Sequence, residues 1–326
     1  MRLRTRRAGA GLVGCAALLL VAGCAQGVEP IGPESLGELS AAYVDAGGTC
    51  TDLVEQYRAS ADDPAVATCG TDTVLTLAAD DAQASRLRTG ALLHDVPVLW
   101  SGRWMVQDAD VESLQETIGG QIARLEAADG PANLADALVV DADGVVAQDA
   151  VPADGEPDAL PSDGTVVTVV VDPTCEYCAR FLEANGDQLD AWAADGTATI
   201  AYVPVAIGDT VESGYASSIG VAALACVADE DAGAALPFLQ AMLERNVDLD
   251  AAGVVELADE AVDGAGDCVT QGTFAWWTRQ ATERALEGAL PGGQPLGGVP
   301  SVYVGDRLYS GDVADAAAFA AFVAEG

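Results

Sequence analysis

The sequence of 326 residues contains no lysine and a single histidine, and its 14 basic residues stand against 51 acidic ones. The resulting formal charge of −37 argues against a nucleic-acid partner, and against binding to anionic lipid through a basic patch. Because His94 has no second imidazole to work with, a histidine metal site or acid–base pair has little support. We therefore interpret His94 as a structural or surface residue, and we predict neither a metal nor a cofactor.

The N-terminal apolar run, at about residues 8–22, is too short to predict a membrane span. It follows a cluster of arginines and ends in small residues, which is typical of an export signal. The tetrapeptide VAGC at 21–24 resembles the lipobox of bacterial lipoproteins, in which the signal is cut before the cysteine. That resemblance implies a signal over residues 1–23, a lipid on Cys24, and a place on the outer face of the cell membrane. The alternative is an ordinary secretory signal cut near Ala25.

The cysteine count agrees with export. Of eight cysteines, Cys15 would leave with the signal and Cys24 would carry lipid, so that six remain. An even number in an exported protein predicts disulfides, although the sequence alone allows many pairings. Proximity and domain layout favour Cys50–Cys69, Cys175–Cys178 and Cys226–Cys268. The first and last of these would be structural bonds.

Composition divides the mature chain into four segments. We predict a spacer over 24–36, a small α+β domain over 37–129, a hairpin and linker over 130–164, and a second domain over 165–326. In the first domain we interpret Trp100 and Trp104 as core residues rather than as a binding surface. Its predicted elements are a helix over Leu39–Arg58, a strand over Asp72–Ala78, a helix over Asp81–Leu93, a hairpin of Val96–Trp100 with Arg103–Val106, and a helix over Val111–Ala127.

One stretch of the second domain carries the chemistry. The segment TVVTVVV at 165–171 is β-branched throughout, which predicts a buried strand. Asp172 and Pro173 end the strand, and Cys175 and Cys178 follow where helical apolar spacing begins. Unpaired N–H groups and the helix dipole would stabilise a thiolate on the first cysteine of such a pair. The second lies one turn on, close enough to close a disulfide.

The elements around this stretch have the order β-α-β, helical insert, β-β-α. The β-α-β unit implies a parallel strand pair with a right-handed crossover. The predicted elements after the first helix are a strand over Thr197–Val203, helices over Gly214–Ala228, Ala232–Arg245, Ala251–Ala261 and Cys268–Leu290, strands over Ser301–Val304 and Arg307–Ser310, and a helix over Val313–Ala324.

This pattern resembles the thioredoxin fold over residues 165–326, and its long helical insert resembles the DsbA-like branch, the bacterial proteins that form disulfide bonds. The resemblance rests on Cys175 and Cys178, on Val299-Pro300 before a strand, and on the closing β-β-α. It implies that Pro300 is cis and faces the disulfide, that Cys175 is the nucleophile, and that Cys178 resolves the mixed disulfide. We therefore predict an α/β thioredoxin fold with a helical insertion (DsbA-like), preceded by a small α+β domain, in a lipoprotein of actinobacterial type.

The active-site motif departs from that family at three positions. Glu176 and Tyr177 stand between the cysteines, where the family tends to have Pro or Gly and, in its strongest oxidants, His. A carboxylate beside Cys175 opposes thiolate formation, so we predict a raised pKa for that thiol and a weaker oxidant. Val169 stands where the family often has an acid, so that proton transfer would need water or Glu176.

We predict a membrane-anchored, extracytoplasmic thiol–disulfide oxidoreductase that forms disulfides in exported proteins through Cys175 and Cys178. Val299 favours an oxidant, because the isomerases of this superfamily tend to have Thr before the proline. The expected partners are exported client proteins with thiols, a membrane redox partner that recycles the pair, and the membrane itself through the lipid.

Other functions remain open from the sequence. The cysteine pair could be a structural disulfide in a thioredoxin-fold binding scaffold, since fold does not imply function. The chain could also be an isomerase or reductase, because the helix predicted over Val111–Ala127 resembles the linker helix of dimeric isomerases. Half of a zinc site is a third interpretation, but no second pair of ligands lies nearby in the sequence.

Overall fold

The structure, a computed structural model, describes residues 28–56, 60, 63–93, 97–210, 213–246 and 249–325. The predicted export signal, Cys24 and His94 lie outside these residues. Within them, no helix combines the length and the apolar character that crossing a bilayer requires.

Residues 36–123 form a six-stranded antiparallel sheet with helices on both faces. The elements are α1 (Leu36–Asp45), β1 (Leu53–Glu55), β2 (Ala65–Cys69), β3 (Thr73–Leu77), α2 (Asp81–Leu92), β4 (Val98–Ser101), β5 (Trp104–Gln107), α3 (Val111–Ile118) and β6 (Gln121–Ala123). The strand order is β1-β2-β3-β5-β4-β6. Apolar residues of α1 and α3 pack on one face, and those of α2 pack on the other. Trp104 is a core residue, 3% exposed, as predicted.

Two predicted helices of this region are too long. The helix predicted over Leu39–Arg58 ends at Asp45, where Gly47 adopts a φ of +100° that ends the helix. The helix predicted over Val111–Ala127 ends at Ile118, and the chain then adds strand β6 instead. Gly119 takes a φ of +70° at that helix end. The isomerase-like linker helix is therefore absent from this part of the described chain.

The elements of the second sheet and its two flanking helices are β7 (Leu138–Asp141), β8 (Gly144–Val145), β9 (Val166–Val171), α4 (Glu176–Ala194), β10 (Thr199–Pro204), β11 (Ser301–Val304), β12 (Arg307–Leu308) and α10 (Ala316–Ala324). The six strands have the order β12-β11-β9-β10-β7-β8. Only β9 and β10 run parallel, and the other described neighbours are antiparallel. The hairpin of β7 and β8 extends the sheet beyond β10, because β7 pairs with β10 and β8 lies at the edge.

Strand β9 is buried along its whole length because both faces of the sheet are covered. Val169 lies on the face that carries Phe181 of α4 and Phe319 of α10, whose rings meet edge to face at 5.3 Å. Val170 lies on the opposite face, against Ala285. A strand enclosed on both sides reads as a continuous β-branched run, which is the pattern that the sequence shows.

Five α-helices separate β10 from β11 in the described chain, with bounds α5 (Ala216–Glu230), α6 (Ala232–Arg245), α7 (Ala251–Ala261), α8 (Ala265–Gln271) and α9 (Ala275–Glu287). The single helix predicted over Cys268–Leu290 is wrong: it is two helices, parted at Gly272 with a φ of +70°. The order β9-α4-β10, helical insertion, β11-β12-α10 is a thioredoxin fold with a DsbA-like insertion, which confirms the predicted fold class.

Candidate active site

The two cysteines of the motif sit at the start of α4, immediately beyond the C-terminal end of the central strand. Cys175 is the N-cap of the helix, and its Sγ accepts the backbone N–H of Cys178 at 3.2 Å. An N-cap is the position at which a side chain can satisfy the free N–H groups of the first turn. Cys175 is partly exposed and Cys178 is fully buried, and both are thiols in the structure. Only the first sulfur is therefore accessible to another protein.

The pKa values of the two thiols move in opposite directions. The thiol of Cys178 and the N–H groups of Cys178 and Tyr177 donate to Cys175, which lowers the pKa of Cys175 from 9.0 to about 7. Burial and the nearby carboxylate of Asp172 act against that fall. Burial, first, and the hydrogen bond to Cys175, second, raise the pKa of Cys178 far above its ordinary value. The surroundings therefore distinguish an accessible thiol with a lowered pKa from a buried thiol with a raised one.

The Val299–Pro300 peptide bond is cis, and this loop faces the first cysteine. The Sγ of Cys175 lies 3.5 Å from the carbonyl oxygen of Val299, to which the thiol donates. Strand β11 begins directly after the loop, at Ser301, and pairs with β9. The sheet therefore brings together two segments that are 124 residues apart in the sequence.

Glu176 does not act on Cys175 as the sequence predicted. Its exposed carboxylate pairs with the guanidinium of Arg180, one turn along the helix. That guanidinium also lies 5.3 Å from the ring centre of Tyr177, which is 58% exposed. The raised pKa predicted for Cys175 is wrong, since its pKa is lowered, and the carboxylate that opposes its ionisation is Asp172. An exposed, paired charge is screened by solvent, whereas a buried one is not.

Asp172 is the site residue that sequence reasoning missed. It is 1% exposed, and its oxygens accept five hydrogen bonds from three different segments. In the sequence, Asp172 and Pro173 indicate the end of a strand, and the pattern assigns Asp172 no action on the sulfurs. One signal was available: an acid between a buried strand and a Cys-x-x-Cys must lie near the sulfurs.

The helical insertion contacts the active-site turn directly. Gly220 of α5 packs against Pro173 so closely that a Cβ at position 220 would lie 2.7 Å from the Cβ of Pro173. Asn246, which follows α6, donates from its side chain to the carbonyl oxygen of Pro173 at 3.5 Å. Contacts from both the sheet and the insertion therefore hold the turn before the cysteines in place.

The remaining cysteines of the described chain lie away from the motif. The structure joins Cys50 to Cys69 within the first sheet region, with a Cα–Cα distance of 4.7 Å. It also joins Cys226 of α5 to Cys268 of α8, with a Cα–Cα distance of 6.0 Å. In the described residues, no group of three or more His, Cys, Asp or Glu side chains is arranged to hold a metal ion.

Comparison with known proteins finds similarity at the level of solved structures. The reduced form of DsbA from Mycobacterium tuberculosis is 26% identical, over 58% of this chain and 91% of its own, with a TM-score of 0.44. BdbD from Bacillus subtilis in its oxidised form is 14% identical, over 62% and 98%, with a TM-score of 0.44. MdbA, a thiol-disulfide oxidoreductase from Actinomyces oris, is 17% identical, over 52% and 83%, with a TM-score of 0.42.

Neither a protein-family model nor a curated protein sequence matches this chain. The assignment of a thioredoxin fold therefore rests on the strand order, the crossover and the helical insertion of the chain itself.

Proposed function

We propose that this protein is a thiol–disulfide oxidoreductase that forms disulfides in other proteins. One observation carries the proposal: a partly exposed Cys175 accepts N–H groups at a helix start and has a pKa of about 7, while its partner thiol is buried. Near neutral pH such a sulfur is substantially thiolate, which makes it a good leaving group and a good nucleophile. A structural disulfide would have no use for this difference between the two sulfurs.

The exchange runs through the accessible sulfur. In the oxidised pair, a client thiolate attacks the Sγ of Cys175, the Cys175–Cys178 bond breaks, and its electron pair leaves on the sulfur of Cys178. That sulfur takes up a proton, and Cys175 is joined to the client in a mixed disulfide. The client's second thiolate then attacks the client sulfur and expels Cys175 as a thiolate. The client loses two electrons and the pair gains them.

The stability of the reduced pair determines whether the protein oxidises or reduces its clients. The hydrogen bonds that lower the pKa of Cys175 stabilise its thiolate, and a couple whose reduced form is stabilised is oxidising. Cys178 can also resolve a stalled mixed disulfide. If no second client thiol arrives, the sulfur of Cys178 attacks the sulfur of Cys175 and releases the client as an unoxidised thiol. The backbone around Val299, within 3.5 Å of the Sγ of Cys175, is the surface beside which an incoming client segment would lie.

The cellular location that we propose is based on the N-terminal sequence. The signal-like residues 1–23 and the lipobox-like VAGC at 21–24 support an exported protein held by a lipid on Cys24 at the outer face of the membrane. Its clients would then be exported proteins with free thiols. A membrane redox partner would have to accept two electrons from the reduced pair after each cycle.

The test combines a redox equilibrium with a client assay. We expect the Cys175–Cys178 pair to equilibrate with a glutathione buffer, followed by alkylation and mass, while Cys50–Cys69 and Cys226–Cys268 stay oxidised. The oxidised protein should also form disulfides in a reduced, unfolded model protein such as ribonuclease. A variant with both Cys175→Ser and Cys178→Ser is the control and should be inactive. If the wild type forms no client disulfide, and its pair resists glutathione as the structural bonds do, the protein is a binding scaffold.

A further inference from the structure

A buried carboxylate lies beneath the cysteine pair, and the exchange reaction does not use it. The Oδ1 of Asp172 accepts the backbone N–H and the hydroxyl of Thr174, both at 2.8 Å. The Oδ2 accepts the N–H groups of Ile207 and Gly208, both at 2.8 Å, and the hydroxyl of Ser217 at 2.5 Å. Asp172 is 1% exposed, so these donors replace the water that a carboxylate would otherwise bind.

Most of the hydrogen-bond donors to Asp172 are fixed in direction. Three of the five are backbone N–H groups, which can donate but cannot turn round to accept. Hydrogen bonds from fixed donors to an ionised oxygen are the stronger kind, and they match an anion rather than a carboxylic acid. The geometry of these donors therefore stabilises a negative charge on Asp172 and holds it in one place.

We propose that Asp172 is a positioning residue whose fixed negative charge, held under the cysteine pair, shifts the redox equilibrium toward the disulfide and so limits how strongly the pair oxidises its clients. The inference rests on the proposed function, because it concerns the potential of the same two sulfurs. It also assigns to a buried residue the role that the sequence had assigned to Glu176.

The charges around Cys175 support this assignment. On its own helix, Glu176 is exposed and paired with Arg180. From the turn before the helix, the carboxylate of Asp172 raises the pKa of Cys175, against the hydrogen bonds that lower it. A negative charge destabilises a thiolate, and a less stable reduced form makes the couple less oxidising.

Among the described residues, the other elements that contact Cys175 or the carboxylate of Asp172 do so through uncharged groups. The loop before β11 presents the carbonyl oxygen of Val299. The loop after β10 and helix α5 present N–H groups and the Ser217 hydroxyl, all directed at Asp172. Asp209 of that loop accepts the N–H of Ser218 at 2.9 Å, at the start of α5.

The same five hydrogen bonds fix the position of the Asp172 carboxylate. They tie the turn at Thr174 to the loop after β10 and to α5, so that one carboxylate joins the sheet to the insertion. The backbone N–H of Cys175 in turn donates to the carbonyl oxygen of Asp172 at 3.0 Å. The distance between the charge and the sulfurs is therefore set by the fold and not by a mobile side chain.

Two variants of the full exported chain separate the effect of the Asp172 charge from the effect of the hydrogen bonds that hold it. Asp172→Asn removes the charge and turns an amide toward N–H donors, and Ser217→Ala removes one donor but keeps the charge. We expect Asp172→Asn to move the glutathione equilibrium constant toward the dithiol by about tenfold, which is about 30 mV, and to lower the pKa of Cys175. Ser217→Ala should shift that equilibrium constant by less than about twofold, while both variants lose thermal stability.

An equal shift in the two variants would assign Asp172 a structural role only, and an unchanged equilibrium in Asp172→Asn would also overturn the proposal. Glu176→Gln serves as the exposed-carboxylate control and should leave the pKa of Cys175 nearly unchanged. The alkylation rate of Cys175 against pH needs no client, so it tests this inference even if no client is oxidised. Failure of client oxidation alone would count against the proposed function instead.

A second measurement covers the case in which Asp172→Asn does not fold. A buried charge is barely screened by salt, whereas an exposed one such as Glu176 is screened within about 10 Å at 0.1 M salt. Because the whole chain carries a formal charge of −37, salt should lower the alkylation pKa of Cys175, and we expect the same decrease in the wild type and in Glu176→Gln. A smaller decrease in Glu176→Gln would mean that the exposed carboxylate opposes the thiolate, and the proposal would be wrong.

Discussion

The backbone N–H of Cys178 points at the Sγ of Cys175 across 3.2 Å, so the residue that would resolve the mixed disulfide also stabilises the nucleophile. The thiol of the same residue is the largest single cause of the lowered pKa of Cys175. The two cysteines are therefore unequal in their environments before any reaction occurs. This inequality can be measured directly.

The hydrogen bond from the side chain of Cys178 can be tested by two substitutions that differ in one donor. Cys178→Ser keeps an O–H that can donate to the sulfur of Cys175, and Cys178→Ala does not. We expect the pKa of Cys175, from its alkylation rate against pH, to be higher in the Ala variant than in the Ser variant. Equal values in the two variants would show that the backbone N–H groups alone lower this pKa.

The order of attack predicts which variants trap clients. In Cys178→Ser the mixed disulfide at Cys175 cannot be resolved from within, so client complexes should accumulate on non-reducing gels. In Cys175→Ser the remaining thiol is fully buried and should trap almost nothing. The wild type treated in parallel sets the background. More complexes through Cys178 than through Cys175 would reverse the assigned roles.

The lowered pKa also predicts how the stability of the reduced protein depends on pH. The folded pKa of Cys175 is about 7 and its ordinary value is 9.0, so the thiolate stabilises the folded state fully above pH 9. That contribution declines as pH falls through this window and is lost below about pH 7. Because Cys175 is partly exposed, we expect only on the order of 1 kcal/mol between pH 7 and pH 9.

Urea unfolding of the reduced wild type and of reduced Cys175→Ser, at the two ends of the window, measures this contribution. The wild type should gain stability relative to the variant as pH rises. The raised pKa of Cys178 acts in the opposite direction above pH 9, so the comparison stops there. A wild type that loses stability relative to the variant would contradict the lowered pKa.

The bond between Cys226 and Cys268 should stabilise the insertion without taking part in exchange. It closes a loop with a sequence separation of 42, for which chain entropy gives about 4 kcal/mol. The variant with both cysteines replaced by Ser should melt at a lower temperature and still exchange thiols while folded. Finding both cysteines as free thiols in the native protein, by alkylation and mass, would remove the basis of this prediction.

Membrane attachment is a prediction from the sequence and concerns Cys24 alone. Cys24→Ala removes the only residue that a lipobox-type signal would lipidate, so the protein should move from the membrane fraction to the soluble exported fraction. Substitution of the neighbouring Ala25 by Ser is a matched control and should leave the protein in the membrane fraction. Membrane fractionation that is unchanged by Cys24→Ala would contradict a lipid anchor.

Sequence patterns predicted the second sheet better than the first. The run at 165–171 is long, apolar and β-branched because it is enclosed on both faces, so its signal is strong. Strand β1 (Leu53–Glu55) is short and exposed and has no such signal. Long-range pairing holds it in place, through three register partners in β2. Local sequence does not encode that kind of stabilisation.

At the site, the sequence was enough to predict the cysteine pair but not which carboxylate acts on the pKa of Cys175. Cys175 and Cys178 carry a spacing that has a clear chemical use, and the sequence indicates a helix start. Whether a neighbouring carboxylate acts on a sulfur depends on its burial and its partners, which the sequence does not show. Glu176 is next to Cys175 in the chain but faces solvent, whereas Asp172 is three positions away and buried.

The close packing of Gly220 on Pro173 means that the reactive turn has its full surroundings only when the insertion is docked. A nascent chain in which α5 has not yet docked has its dithiol but lacks the surroundings that differentiate the two sulfurs. We expect such a chain to behave as an ordinary dithiol, as readily a client as a catalyst. Docking of α5 would then be the step at which the protein changes from one to the other.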